Sequence, residues 1–340
     1  LDIKSKIDFG TDKKGTGFKI KTDKEYCYYL NSGRNAICEV LNNETIDKAY
    51  ICSFNCDSVL MPFIKRGIEI RYFNVNQSFE IEETLFNELS SEKQKVLVYI
   101  QNYFCSYQLD EIKSKLKEYN VIVVEDITQC LLDDRYFCGA DYYVGSVRKW
   151  FGVGEGGILC TNKKIQFKES DLEFINLYKE SRNMLLNHVE KQKYLEKINY
   201  CEQLFDEKDT QLISNEVRNM IGTIDCDNVK QIRIENFCYL INELKNLDCI
   251  TLPIKEMSNG SVPLYLPMLC RQRDKLQKFL FQYNIFLPII WGKCKYLEGC
   301  LSPVVEKIYD EILCVPIDQR YDFKDLEIVK KAILEFYNKN

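Results

Sequence analysis

Three short stretches hold residue types whose spacing suits chemistry. In Val121-Ile122-Val123-Val124-Glu125-Asp126 a β-branched run ends in two acids. Four such residues in a row predict a strand buried on both faces, and ligands in parallel α/β sheets bind beyond the carboxyl ends of strands. Asp126 is therefore where a working carboxylate would sit, although an isolated Glu-Asp pair reads first as a solvated strand end or a helix cap. In Gly139 to Thr161 (GADYYVGSVRKWFGVGEGGILCT) the pair Arg148-Lys149 stands between an apolar strand and a glycine-rich turn that leads into another strand. A lysine in a partly enclosed turn is a candidate imine-forming amine; beside Trp150 it also reads as a surface lysine whose stem packs on the ring. In Leu30-Asn31-Ser32-Gly33-Arg34-Asn35-Ala36-Ile37 a Ser-Gly pair precedes a helix-like run, Ala36 to Leu41. Such a turn offers free N–H groups and the positive end of the helix dipole to a phosphate, or is an ordinary cap.

The string Gly152-Val153-Gly154-Glu155-Gly156-Gly157 satisfies G-x-G-x-x-G. A dinucleotide site needs that pattern to follow a strand and open a helix, whereas here it opens the strand Ile158 to Thr161. The glycines are expected to serve a tight turn with close backbone approach.

The elements that must position these residues alternate through the first half of the chain. Apolar runs at Tyr50 to Ser53, Ile70 to Val75, Val96 to Ile100, Val121 to Val124 and Gly157 to Cys160 are separated by amphipathic stretches such as Leu109 to Tyr119 (LDEIKSKLKEY). That alternation predicts an α/β fold with a mostly parallel sheet in a large domain. Lys163 to Lys208 reads as long, charged and helical. A helix over Val229 to Leu247, strands at Ile250 to Leu252, Pro263 to Leu269 and Ile285 to Ile289, and a closing helix over Phe323 to Tyr337 make a smaller C-terminal α+β domain. The expected partition is 1–224 and 225–340.

Composition narrows the chemistry. Lys plus Arg number 46 against 51 Asp plus Glu, a net charge of −5, so a nucleic-acid partner is not expected and cations for an anionic substrate must be gathered locally. No apolar run is long enough to span a bilayer, and Leu1 to Gly10 lacks the apolar core of a signal peptide; a cytoplasmic protein without membrane contact is expected. The sixteen cysteines include no C-x-x-C, which predicts free thiols and no metal site. His188 is the single histidine, in a charged helix-like stretch, and is expected at the surface. A Ser-His-Asp relay or a multi-histidine metal centre is thereby excluded or reduced to that one residue.

Taken together and in this order, the three segments resemble the DegT/StrS-type family of sugar aminotransferases, which use pyridoxal 5'-phosphate (PLP) and have the fold type I architecture. The matching residues are Ser32-Gly33-Arg34-Asn35-Ala36-Ile37, Glu125-Asp126-Ile127-Thr128-Gln129, Gly139-Ala140-Asp141, Ser146, Lys149 and Gly156-Gly157. The likeness extends to Ile51 to Asn76 and to Leu313 to Tyr321 (LCVPIDQRY), while about Gln166 to Asp225 matches poorly. It implies that Lys149 carries PLP as an imine and moves the proton, that Asp126 faces the pyridine nitrogen and that Gln129 lies beside the phenolic oxygen. Ser146 and the N–H groups around Gly33 and Arg34 would hold the phosphate, and Phe54 would stack on the ring.

Three departures accompany the match. Lys149 follows Ser146 by three residues, where many members have five; Arg34 replaces a threonine and could reach phosphate or substrate; and the N-x-R-M loop lent to a neighbouring subunit is not visible around Thr210 to Ser214. The implied activity is transfer of an amino group, from a donor such as glutamate, to a nucleotide-linked keto-sugar for surface polysaccharide or related amino-sugar synthesis. Arg148 is the expected substrate-binding cation, and a homodimer is the expected assembly. The alternatives are a PLP-dependent sugar dehydratase, some of which replace the lysine by histidine, a nucleotide-binding α/β protein without PLP, and a non-catalytic relative.

Overall fold

The computed structural model describes residues 17–105, 109–170, 173–186, 191–297 and 299–339. His188 and the segment Leu1 to Gly10 lie outside the described residues. Seven strands, β1 (Tyr26–Leu30), β2 (Lys48–Cys52), β3 (Glu69–Phe73), β4 (Val96–Gln101), β5 (Val121–Asp126), β6 (Tyr142–Ser146) and β7 (Gly157–Thr161), form one sheet in the order β1-β7-β6-β5-β4-β2-β3. Pairs from β3 through β6 are parallel, and β7 runs antiparallel to both β6 and β1. The expected mostly parallel α/β sheet is thus observed, with β1 added at its edge.

All six residues of β4 and all but the first of β5 are buried, as a strand covered on both faces requires. The crossovers are helical: α1 (Gly33–Asn43), α2 (Asp57–Lys65), α3 (Thr84–Leu89) and α4 (Leu109–Leu116). Two long helices, α5 (Glu173–Leu186) and α6 (Lys191–Glu207), pack against each other, and α7 (Asn215–Thr223) follows.

Asp225 caps the next helix, α8 (Cys226–Leu244), through its side chain. A second, antiparallel sheet has the order β10-β9-β8, from β8 (Ile250–Thr251), β9 (Tyr265–Cys270) and β10 (Ile312–Pro316). Helices α9 (Arg273–Phe281), α10 (Pro303–Glu311) and α11 (Phe323–Lys339) complete this part. Ile285 to Ile289 is not a strand: Pro288 lacks the N–H that a ladder needs, and the backbone pairing available to it is the bond from the Cys314 N–H to the Pro288 carbonyl at 2.9 Å. The third strand is instead Ile312–Pro316, inside the LCVPIDQRY segment. Among the described residues no helix is long and apolar enough to cross a membrane, and no cluster of ligating side chains could hold a metal ion.

Topology gathers the chemistry on one edge. β2, β4, β5 and β6 all end there, β1 ends there at Leu30, and the antiparallel β7 begins there at Gly157. The segments around Ser32, Cys56, Asn102, Asp126, Ser146 and Gly157 therefore meet, although far apart in sequence.

Candidate active site

Asp126, the last residue of β5, is buried, and both its oxygens are engaged. Oδ1 accepts from the Thr128 N–H at 2.8 Å and Oδ2 from the Tyr99 hydroxyl at 2.7 Å. Burial pushes its carboxyl above the ordinary value of 3.8, with the Thr128 and Tyr99 bonds and the charge of Lys149 opposing. Glu125 faces the opposite side of the sheet, where it pairs with Lys113 at 3.0 Å, as strand alternation demands. Tyr99 was not anticipated from sequence, yet a phenol in the otherwise aliphatic buried run Val96 to Ile100 must find a polar partner.

Gln129 sits three residues past Asp126. Its Oε1 accepts from the Phe104 N–H at 3.0 Å, while its Nε2 is buried without a partner among the described residues. A buried amide donor left open is costly unless something else accepts from it.

Lys149 ends a short 3-10 turn, Val147–Lys149, directly after β6. Its side chain is solvent-accessible, and its charge is felt at Asp126, Cys56 and Glu202. The turn is anchored on both sides: the Val147 N–H donates to the Gly156 carbonyl at 3.0 Å, and the Trp150 indole N–H to the Thr128 carbonyl at 2.6 Å. Arg233, buried, lies 4.7 Å from the Trp150 ring centre. A cavity of about 490 Å³ opens beside Lys149 and Arg148, walled by Tyr178 and Tyr194 of α5 and α6 and by Gln319 and Arg320 beyond β10.

The helix end at Ser32 is a cup. Ser32 caps α1 by accepting from the Asn35 N–H at 3.1 Å, a bond that does not use the Gly33 and Arg34 N–H groups. Ser146 adjoins it, since a Cβ placed on Gly33 would lie 3.4 Å from the Ser146 Cβ. Gly157 closes the cup from β7: a Cβ there would overlap the Ser32 carbonyl and stand 2.8 Å from the Gly33 nitrogen. This close approach, together with φ +146° at Gly156, accounts for the paired glycines. Glu155 of the same turn accepts from the Ser214 N–H at 2.6 Å, so the G-x-G-x-x-G string makes a strand-opening turn tied to α7, not a dinucleotide loop.

Two expected side chains have other partners. Phe54 is fully buried among Tyr309, Trp291, Phe79 and Tyr103, with ring centres 5.0 to 5.6 Å away. Two residues on, Cys56 at the start of α2 is partly buried and lies within electrostatic reach of Lys149 and Asp126; burial pushes its thiol up. The Arg34 side chain turns toward α6, where it bonds Glu202 and, at 2.8 Å, Asp206; Arg148 bonds the same Glu202. Asp141 bonds the Val123 N–H at 2.8 Å and so fastens the start of β5.

No family model matches the chain, and no curated protein sequence matches it. Solved structures do. A DegT DnrJ EryC1 StrS aminotransferase from Brucella abortus superposes with a TM-score of 0.66 at 15% identity, covering 92% of this chain and 86% of that one. PseC of Helicobacter pylori, an aminotransferase involved in the biosynthesis of pseudoaminic acid, gives 0.69 at 14% identity, covering 93% and 88%. The E. coli GDP-4-keto-6-deoxy-D-mannose-3-dehydratase, solved with bound hydrated PLP, gives 0.63 at 13%, covering 91% and 88%. The chain has the fold of these PLP enzymes.

Proposed function

We propose that this chain is a PLP-dependent aminotransferase that moves an amino group, from a donor such as glutamate, to a nucleotide-linked keto-sugar. The observation that carries the reading is the meeting, on one sheet edge, of Lys149, Asp126, the unclaimed Gln129 Nε2 and the Ser32-Gly33-Ser146 cup. These residues fit PLP: the buried Gln129 Nε2 needs an acceptor, and the cup excludes a Cβ where backbone must come close.

When bound, PLP supplies an electron sink for bonds at the amino-bearing carbon. The Lys149 amine would hold it covalently and later carry the proton to and from that carbon. The Asp126 carboxylate would keep a proton on the ring nitrogen, and its bonds from Tyr99 and Thr128 fix its direction. Gln129 Nε2 would donate to the phenolic oxygen; Ser146 and the Gly33 and Arg34 N–H groups would take the phosphate. The cavity beside Lys149 leaves room for a substrate, with Arg148 and Arg320 in its wall. A cytoplasmic homodimer completes the proposal.

The test is the absorption spectrum of the purified protein, followed by borohydride reduction and peptide mapping, with label expected on Lys149. Glutamate alone should bleach the visible band and release 2-oxoglutarate, and a nucleotide-linked keto-sugar should restore it and leave with the amino group. Label on a different lysine, or a protein that retains no PLP, sinks the reading; a sugar that leaves without the amino group identifies a dehydratase.

A further inference from the structure

Glu202 of α6 splits its carboxylate between two arginines. One oxygen meets Arg148, two residues past Ser146, and the other meets Arg34, the second residue of α1. Phe205, further along α6, lies 4.6 Å from the Arg148 guanidinium and 5.6 Å from that of Arg34. Against the effect of burial, Arg148, Arg34 and Lys149 together hold the Glu202 carboxyl below its ordinary range. One carboxylate thus bonds two cations whose backbones adjoin the proposed phosphate cup, and Asp206 shares one of them, Arg34.

The hairpin that brings Glu202 there is packed as a unit of its own. Cys201, Leu204 and Phe205 form a cluster with Leu177 and Tyr178 of α5, separate from the main core. Its C-terminal end is anchored to the body, since Asn35 donates to the Lys208 carbonyl at 3.3 Å and Asn31 to that of Asp209 at 3.3 Å. Upstream of that anchor the Glu202 and Asp206 pairs tie α6 to α1 and to the lysine turn, and the hairpin roofs the cavity beside Lys149. A carboxylate and a phosphate a few ångströms apart repel, so both cannot use the same guanidinium groups at full strength.

We propose that Glu202 is a built-in competitor for the anion site formed by Arg34 and Arg148, so that a phosphate-bearing ligand displaces it and loosens the α5–α6 cover about its anchored end. This rests on the reading of the cup as a phosphate site and adds a device that couples binding to the cover. Arg34 and Arg148 exchange one anion for another, and the ligand must outcompete a tethered carboxylate.

The experiment uses inorganic pyrophosphate and the full chain without added PLP. Calorimetry should show that Glu202→Gln binds pyrophosphate at least about threefold more tightly than the unmodified protein, the scale of one partly exposed ion pair. Hydrogen exchange in the unmodified protein should rise across residues 191–207 when pyrophosphate is added, a readout that needs no variant to fold. Arg148→Gln combined with Arg34→Gln should remove both effects. Equal or weaker binding by Glu202→Gln overturns the proposal and makes Glu202 a residue that positions the arginines. Unchanged exchange on α6, or an affinity gain from Glu202→Gln that survives loss of both arginine side chains, overturns it as well. A colourless protein that still shows the competition leaves the Glu202 proposal standing and ends the aminotransferase reading, whereas a PLP-retaining protein in which Glu202→Gln changes nothing ends the Glu202 proposal alone.

Discussion

The Trp150 indole N–H donates to the Thr128 carbonyl at 2.6 Å, which ties the turn carrying Lys149 to the turn that follows Asp126. Thr128 in turn gives its own N–H to Asp126 Oδ1 at 2.8 Å. The two groups that the proposed chemistry needs at opposite ends of one ring are therefore linked through one indole, beside the Val147–Gly156 bond that also holds the first turn and the Tyr99 bond that also holds Asp126. Trp150 is itself held from the second sheet's side, by Arg233 over its ring and by Gln319 Nε2 on its carbonyl at 3.4 Å.

Replacing Trp150 by Phe keeps an aromatic surface for Arg233 and removes the donor to Thr128. The loss of that bond and the smaller ring should cost about 1 to 3 kcal/mol of stability. Retention of PLP should fall with it, because the registry between Lys149 and Asp126 loosens. Urea unfolding and PLP titration of the same variant check both. A variant that melts lower yet binds PLP unchanged would show Trp150 to be a core residue only.

Gly157→Ala places a methyl group into the Ser32 carbonyl at the mouth of the cup. The Ser32 carbonyl and the Gly33 nitrogen are both backbone and cannot give way, so β7 must move away from α1. Overpacking of this kind costs about 1 to 3 kcal/mol, and the displaced cup should weaken binding of PLP more than a change elsewhere on β7. Thermal melts, with and without PLP, measure the difference: the stabilisation that PLP confers should shrink in the variant.

How much of this was legible beforehand depends on what each residue answers to. β4 and β5 declared themselves because strands buried on both faces are continuous aliphatic runs, and Asp126 followed from where such a strand stops. β1 (YCYYL) gave no such run: it is an edge strand, its tyrosines partly exposed, and its pairing with β7 is set by a partner more than a hundred residues away. Phe54 was chosen for its ring, but the aromatic cluster of Tyr309, Phe79 and Trp291 surrounds that ring, and Cys56 lies within electrostatic reach of Lys149. The partner of Arg34 and Arg148 was invisible because Glu202 lies on a charged helix, where one glutamate looks like any other.

Asp126→Asn separates the carboxylate's chemistry from its packing. In the protein without PLP, burial holds the Asp126 carboxyl above its unfolded value, so its ionised form is a burden on the folded state. Stability relative to Asp126→Asn should therefore decline as pH rises through the unfolded value of about 3.9 toward the raised folded one. The same variant should still take up PLP on Lys149 but lose turnover about a hundredfold or more, because the ring nitrogen is no longer held protonated. Denaturant melts between acidic and neutral pH check the first expectation, and single-turnover kinetics with glutamate the second. Near-normal turnover would remove Asp126 from the proposed role.

Arg148→Ala distinguishes the two substrates. A nucleotide-linked sugar carries a diphosphate and glutamate does not, so a cation in the cavity wall beside Lys149 should matter more to the sugar. Losing a charge-assisted contact to phosphate costs about 1.5 to 3 kcal/mol, roughly ten- to a hundredfold in affinity. Arg148 also satisfies Glu202, and removing it leaves that carboxylate with Arg34 and close to the cup. Part of any loss could therefore be repulsion from Glu202 instead of a missing contact. The double variant Arg148→Ala with Glu202→Gln resolves this: it relieves the repulsion and leaves the contact absent. The sugar half-reaction should stay impaired in the double variant, while the glutamate half-reaction changes little in either. Full recovery of the sugar half-reaction in the double variant would mean that Arg148 serves only to neutralise Glu202, and that the diphosphate finds its cation elsewhere.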